Sequence, residues 1–219
     1  PSVLIRGHDM SEFRQGWAAL LAATLGLACG LATIPFYSLS SFMAPLNAEF
    51  GWTRAQIGVA STIFTVMLFV TGPVMGRFAD RYGARRLALP SVLLLALALA
   101  ALTLIGGSVL TLYAGFVVMS LAGAATTSVA YTRIVNPWFE CSRGLALGIT
   151  MAGSGVTAFV MPLMLARVIG DYGWRGGYVA CALLALLPLP VLWKWLRERV
   201  ETPAERVRAN YGMTMSEVA

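Results

Sequence analysis

Between two long apolar runs lies Gly76-Arg77-Phe78-Ala79-Asp80-Arg81-Tyr82-Gly83-Ala84-Arg85-Arg86. Arg77, Arg81, Arg85 and Arg86 beside one carboxylate can make charge-assisted hydrogen bonds to helix ends and to one another. That chemistry fixes topology or closes an interface; it does not break bonds. The other residues with chemical capacity are hydroxyls. Thr33, Tyr37, Ser38, Ser40 and Ser41 share one apolar run, and Thr126, Thr127, Ser128, Tyr131 and Thr132 share another. Hydroxyls in apolar surroundings need partners, so these face either neighbouring helices or a cavity that accepts a small polar solute. Tyr37 is the strongest single candidate for a solute contact, because its ring and hydroxyl can both engage a ligand.

No Asp, Glu, Lys or His lies deep inside an apolar run. Ionisable groups at such depth are the usual mark of proton relays and charged-substrate sites. Arg133 and Arg167 come nearest, each close to the end of a run. Arg133 either snorkels to the surface or meets substrate. Arg167 is expected to pair with Asp171 at the next helical turn. No Gly-rich phosphate loop and no His/Cys cluster is present, so an enzyme, a metal and a cofactor are not expected. Cys29, Cys141 and Cys181 are far apart in sequence and read as small apolar filler. His8, in the polar N-terminal segment, reads as solvated.

The elements that position these groups follow from composition. The chain has 219 residues, of which 58% are apolar and 12% charged. A soluble domain carries about 25% charged residues, too many more for this chain to be covered by its own polar surface. The net charge of +6 does not point to nucleic acid, since the basic residues sit at the ends of apolar runs instead of forming one stripe. A helix needs about 20 apolar residues to cross a bilayer, and its backbone bonds must close within the segment. Six runs qualify: about 16–43, 56–76, 87–105, 110–132, 145–168 and 177–195. The first is too long for a signal-peptide core. The segment 197–219 is polar and charged.

Thr53 followed by Gln56 is a capping box that opens the second span. With the N-terminus on the cytoplasmic side, Arg54, Arg167 and Arg175 fall outside and the remaining Lys and Arg residues fall inside, which is the positive-inside arrangement. Both ends of the chain are then cytoplasmic. Phe50-Gly51-Trp52 and Tyr172-Gly173-Trp174 mark the two longer outer turns, where the aromatics are expected to anchor at the interface. Small residues recur at four-residue spacing, as in Gly144, Gly148 and Ala152, and suit close helix packing. Pro35, Pro73, Pro90, Pro162, Pro188 and Pro190 lie within or near spans and are expected to kink them.

Gly76-x3-Asp80-Arg81-x-Gly83-x-Arg85-Arg86 resembles the signature of the major facilitator superfamily, which joins the second and third helices on the cytoplasmic side. Two further segments resemble its monocarboxylate and oxalate–formate antiporter branches. One is Trp138-Phe139-x3-Arg143-Gly144-Leu145-Ala146-Leu147-Gly148-Ile149, with Ala152-Gly153-Ser154-Gly155 and Pro162 beyond it. The other runs from Tyr37-Ser38 through Phe42 and Pro45-Leu46 to Phe50-Gly51-Trp52-Thr53-Arg54. The resemblance departs at Tyr37, where animal monocarboxylate carriers have a lysine, and at Ser142, where a basic residue often precedes the arginine.

The resemblance implies an all-α integral membrane fold. Residues 1–196 would form six transmembrane helices, a 3+3 inverted repeat and the N-terminal half of a twelve-helix transporter. Residues 197–219 would begin the central cytoplasmic loop, and a C-terminal six-helix half would be the missing partner. The function implied is secondary transport of a small organic anion, a monocarboxylate or dicarboxylate, across the cell membrane by alternating access. Transport of another small solute such as a drug or sugar, or a six-helix scaffold, are the alternatives. Gly76, Asp80, Arg81, Gly83, Arg85 and Arg86 would form the cytoplasmic gate. Tyr37, Ser38, Ser41, Thr127, Tyr131 and Arg133 would line the solute path, with Gly144, Gly148, Gly153, Gly155 and Pro162 as packing and hinge positions.

Overall fold

A computed structural model of the chain describes residues 2–139 and 142–196, without the side chains of residues 2–11 and of Asp80. The segment 197–219 and Cys141 lie outside the described residues. Among those described, the regular structure is entirely helical. The helices are α1 (Ser2–Ala28), α2 (Ile34–Phe50), α3 (Arg54–Tyr82), α4 (Ala84–Ala101), α5 (Val109–Ala122), α6 (Ser128–Val135), α7 (Arg143–Leu186) and α8 (Leu189–Trp195). Three 3-10 turns, Leu102–Leu104, Ala124–Thr126 and Asn136–Trp138, join them.

Local chemistry sets several boundaries. Thr53 and Gln56 form the expected capping box: the Thr53 N–H donates to Gln56 Oε1 at 2.8 Å, and the Gln56 N–H donates to Thr53 Oγ1 at 3.2 Å. Replacing Thr53 with Ala is expected to lower stability by about 1 kcal/mol, readable as a lower thermal midpoint in detergent. Gly51 ends α2 with φ +70°, and its N–H donates to the Asn47 carbonyl at 2.9 Å. The N-terminal polar segment is not a separate tail in its backbone: from Ser2 it runs straight into the first apolar run as α1.

Three stretches, Arg54–Ala79, Ala84–Leu104 and Arg143–Trp195, are long and apolar enough to cross a membrane. The last contains both of the final expected spans, turned at Gly173 where φ is +71° and ψ 179°. The first and fourth expected spans are interrupted. Residues 29–33 separate α1 from α2, and residues 123–127 separate α5 from α6. Pro35 stands in the first turn of α2, just after the first break, whereas no proline lies at the second. Helical backbone continues through Pro73, Pro90 and Pro162, whereas Pro188 ends a turn and starts α8.

Helix α7 is the spine of the bundle, with α1, α2 and α4 packed along it, while α3 lies on α5. Buried side chains form two separate cores. One holds Leu31, Phe42, Leu46, Phe64, Leu95, Leu99, Phe116 and Tyr178. The other holds Ala22, Ala23, Leu27, Ala88, Val92, Tyr131, Phe139, Ala146 and Leu192. Along α1 the division falls between Leu27 and Ala28, and along α4 between Val92 and Leu95. The outer surface is apolar, with Phe69, Leu104, Leu110 and Phe159 all widely exposed. Apolar area of this extent suits a lipid surround.

Candidate gate and solute path

The charged turn folds as a hinge between two helices. Gly83 closes α3 and opens α4 with φ +88° and ψ 137°, and its N–H donates to the Ala79 carbonyl at 3.0 Å. Only glycine adopts this conformation without strain. Arg81 lies in the last turn of α3, 5.4 Å from the Tyr82 ring centroid. Arg85 reaches the last described helix: its Nη2 donates to the Trp193 carbonyl in α8 at 2.7 Å. A guanidinium on the last carbonyls of a helix satisfies groups that have no partner within the helix. Arg86 is exposed, and the Asp80 side chain lies outside the described residues.

Gly76 meets Arg133. The Arg133 Nη1 donates to the Gly76 carbonyl at 3.2 Å, and a Cβ on Gly76 would lie 3.5 Å from Nη2. Thr127 lines the same small recess with Gly72, Met75 and Ala130. Arg133 therefore ties α6 to α3 one to two turns before the charged hinge. Of the sequence candidates, Gly76, Thr127 and Arg133 come together here, and Arg85 sits at the neighbouring α4–α8 contact.

The candidates on α2 lie elsewhere. Ser38 is buried and donates to the Pro35 carbonyl at 3.3 Å. Ser41 is half-buried, and Tyr37 is half-buried with its ring 5.3 Å from that of Phe36. Tyr131 is fully enclosed against α1, where a Cβ on Gly26 would meet its ring and hydroxyl within 2.6 Å. Most other hydroxyls in the helices are satisfied locally: Thr71, Ser120 and Thr150 each donate to the carbonyl four residues back.

Of the glycines on α7, Gly153 makes a close packing point: a Cβ there would stand 2.8 Å from the Thr24 carbonyl on α1. Gly144, Gly148 and Gly155 face open space, and Pro162 is exposed on the same helix.

Sequence reading missed the feature that ties the two interrupted spans together. The Leu31 N–H, which a continuous helix would direct at Leu27, donates to Thr126 Oγ1 at 3.0 Å. Thr126 Oγ1 donates in turn to the Gly123 carbonyl at 2.8 Å. The Leu27 carbonyl is taken by the Gly30 N–H at 3.2 Å and the Thr33 hydroxyl at 2.7 Å. Gly30 lies directly on the other break, where a Cβ would be 2.4 Å from the Thr126 carbonyl oxygen. The break in α1–α2 and the break in α5–α6 are thus one structure, built from the backbone of both spans. Gly30 and Thr126 carry the only sequence signal, and its meaning depends on their meeting.

At the opposite rim the structure corrects two expectations. Arg167 and Asp171 do not pair; both are exposed, and the acid that takes an arginine is Glu49, whose Oε1 is 3.0 Å from Arg175 Nη1. Trp174 Nε1 donates to the other oxygen of Glu49, and Arg175 lies 4.2 Å from the Trp174 ring centroid. Trp52 and Trp174 are also not surface anchors: both are buried, because Phe50 stacks on Trp52 at 4.5 Å and meets Trp174 edge-on at 5.7 Å. The Trp174 hydrogen bond, with Arg175 beside it, holds the Glu49 carboxyl below its ordinary value of 4.5. A lowered folded value means stabilisation that is present above the unfolded value and is lost as pH falls through the folded one. The wild-type thermal midpoint is therefore expected to drop below about pH 4.5, and Glu49→Gln to remove that part of the dependence.

An arginine-bearing turn, paired helix breaks and an apolar exterior together describe a helical bundle suited to a lipid surround. Residues 16–211 match the family model described as Major Facilitator Superfamily, and the chain belongs to that superfamily of multi-pass membrane proteins. It is 30% identical over 194 residues to an MFS-type transporter of Gibberella moniliformis, covering 87% of this chain and 45% of that protein. It is 25% identical over 180 residues to monocarboxylate transporter 1 of Rattus norvegicus, covering 82% and 36%. It is 26% identical over 200 residues to the probable chloroplastic anion transporter 3 of Oryza sativa subsp. japonica, covering 91% and 38%. The chain thus spans less than half the length of these curated relatives.

Proposed function

We propose that the chain is the N-terminal six-span half of a secondary transporter that moves a small organic anion by alternating access. The observation that carries this reading is the pair of interrupted spans joined by the Leu31 N–H and Thr126. In transporters, helices interrupted near the bundle centre allow one end to move against the other around a central site. The names of the rat and rice relatives supply the substrate class, a carboxylate or related anion.

In this reading the spans are those over 16–43, 56–76, 87–105, 110–132, 145–168 and 177–195, arranged as a 3+3 repeat in the cell membrane with both ends of the chain cytoplasmic. A second six-helix half completes the solute path. Gly76, Asp80, Arg81, Gly83, Arg85 and Arg86 secure the cytoplasmic gate, with the Gly76 carbonyl accepting from Arg133 and Gly83 turning α3 into α4. Tyr37, Ser38, Ser41, Thr127 and Arg133 serve the path, and Tyr131 holds α6 against α1. Gly144, Gly148, Gly155 and Pro162 present a face to the second half, and Gly153 locks α7 to α1.

Reconstitution of the 219-residue chain, alone and joined to a C-terminal half, tests this with labelled oxalate, formate and lactate. Uptake by the joined form above empty vesicles is expected. Uptake of none of these anions, with the protein folded and inserted, would sink the anion assignment.

A further inference from the structure

The tryptophans treat the two rims of the bundle differently. At the Glu49 rim, Trp52 and Trp174 are 6% and 3% exposed. At the opposite rim, Trp17 and Trp193 are 48% and 70% exposed. Trp17 meets Trp195 edge-on at 5.3 Å, so the middle of α1 and the end of α8 share this rim. Exposed tryptophan belongs at the headgroup level of a bilayer, where its ring is apolar and its N–H is wet.

Beside Trp193 lies a shallow, wide-open groove along α8, lined by Leu189, Pro190, Trp193 and Lys194. Three of these side chains are apolar, and the fourth is a cation at the end of the helix. Lys194 Nζ stands 5.9 Å from the Trp195 ring centroid, with the side chain itself exposed. An anion near the last turn of a helix would ordinarily be disfavoured by the free carbonyls. Here the Trp193 carbonyl already accepts from Arg85.

We infer that this α8 groove binds one anionic phospholipid, its acyl chain along Leu189, Pro190 and Trp193 and its phosphate at Lys194. The charge complementarity selects the headgroup, and the apolar wall selects a lipid over a soluble anion. A single cation near the bilayer surface gives about fivefold preference for an anionic over a zwitterionic lipid. The site is distinct from the solute path and does not depend on which solute is carried. Because Trp193 is also the residue that Arg85 holds, the bound lipid would lie against the support of the charged hinge.

The test is quenching of tryptophan fluorescence by brominated lipids in phosphatidylcholine vesicles that contain the full chain. The Trp193 signal is the difference between wild type and Trp193→Phe. Dibrominated phosphatidylglycerol is expected to quench it about fivefold more effectively than dibrominated phosphatidylcholine at equal mole fraction. Lys194→Gln should bring the two lipids to parity while the far-ultraviolet circular dichroism stays that of wild type. Arg14→Gln, an exposed cation on α1 one turn from Trp17, should leave the preference intact. Equal quenching in the wild type overturns the inference. So does a preference that survives Lys194→Gln, or one that Arg14→Gln abolishes equally, which would mean diffuse attraction to the rim.

Discussion

Gly30→Ala is expected to destabilise the chain by about 3 kcal/mol. A Cβ there would stand 2.4 Å from the Thr126 carbonyl oxygen and 2.9 Å from the Gly26 carbonyl oxygen. Both obstacles are backbone, so no rotamer change relieves them, and the two breaks must separate. The effect is read as the loss of thermal midpoint in detergent relative to wild type. Thr126→Ala should act more mildly, by about 1–3 kcal/mol, since it leaves the buried Leu31 N–H without its acceptor. If Gly30→Ala unfolds with the wild-type midpoint, the close approach of the two breaks is wrong. The comparison also distinguishes contact from hydrogen bond: a purely polar tie would make Thr126→Ala the worse variant.

Arg133→Gln is expected to reduce uptake by the complete transporter at least tenfold with little change in the amount of folded protein. The Arg133 guanidinium is only partly buried, so removing it leaves no large cavity. It does remove a charge-assisted bond from α6 to the Gly76 carbonyl, and such bonds contribute about 1.5–3 kcal/mol. If that bond is present in one conformation of the transport cycle and absent in the other, its loss shifts their balance by about tenfold to a hundredfold. Arg133→Lys should recover only part of the activity, because an ammonium keeps the charge without the fork of donors. Unchanged initial uptake rates in Arg133→Gln, at matched protein density, would exclude Arg133 from both gate and path.

Much of the architecture is legible in the sequence because it is local. The apolar runs dictate helices in any lipid surround, Thr53 and Gln56 cap one another at three residues' spacing, and Gly83 marks the turn its φ requires. The features that were not legible join distant residues. Gly30 is one of 22 glycines in the chain, and nothing near it announces that Thr126 will occupy the space its missing side chain leaves. Helical spacing offers Arg167 a partner in Asp171 at the next turn, whereas Glu49 carries no local signal and meets Arg175 only after α2 and α7 have packed. The same packing buries Trp52 and Trp174, which composition alone assigns to the interface. Tyr131 reads as a solute contact by type, yet Gly26 makes room for it inside the α1–α6 contact.

The division of the interior into two cores has a mechanical consequence. The boundary between them crosses α1 beside its break, at Leu27 and Ala28, and crosses α4 between Val92 and Leu95. A bundle with one continuous core resists flexure, because any bend opens packed contacts along its whole length. Here the boundary between the cores coincides with the joint, so each block can keep its own packing while the two move about the breaks. In amide hydrogen exchange, the two blocks should protect as separate units.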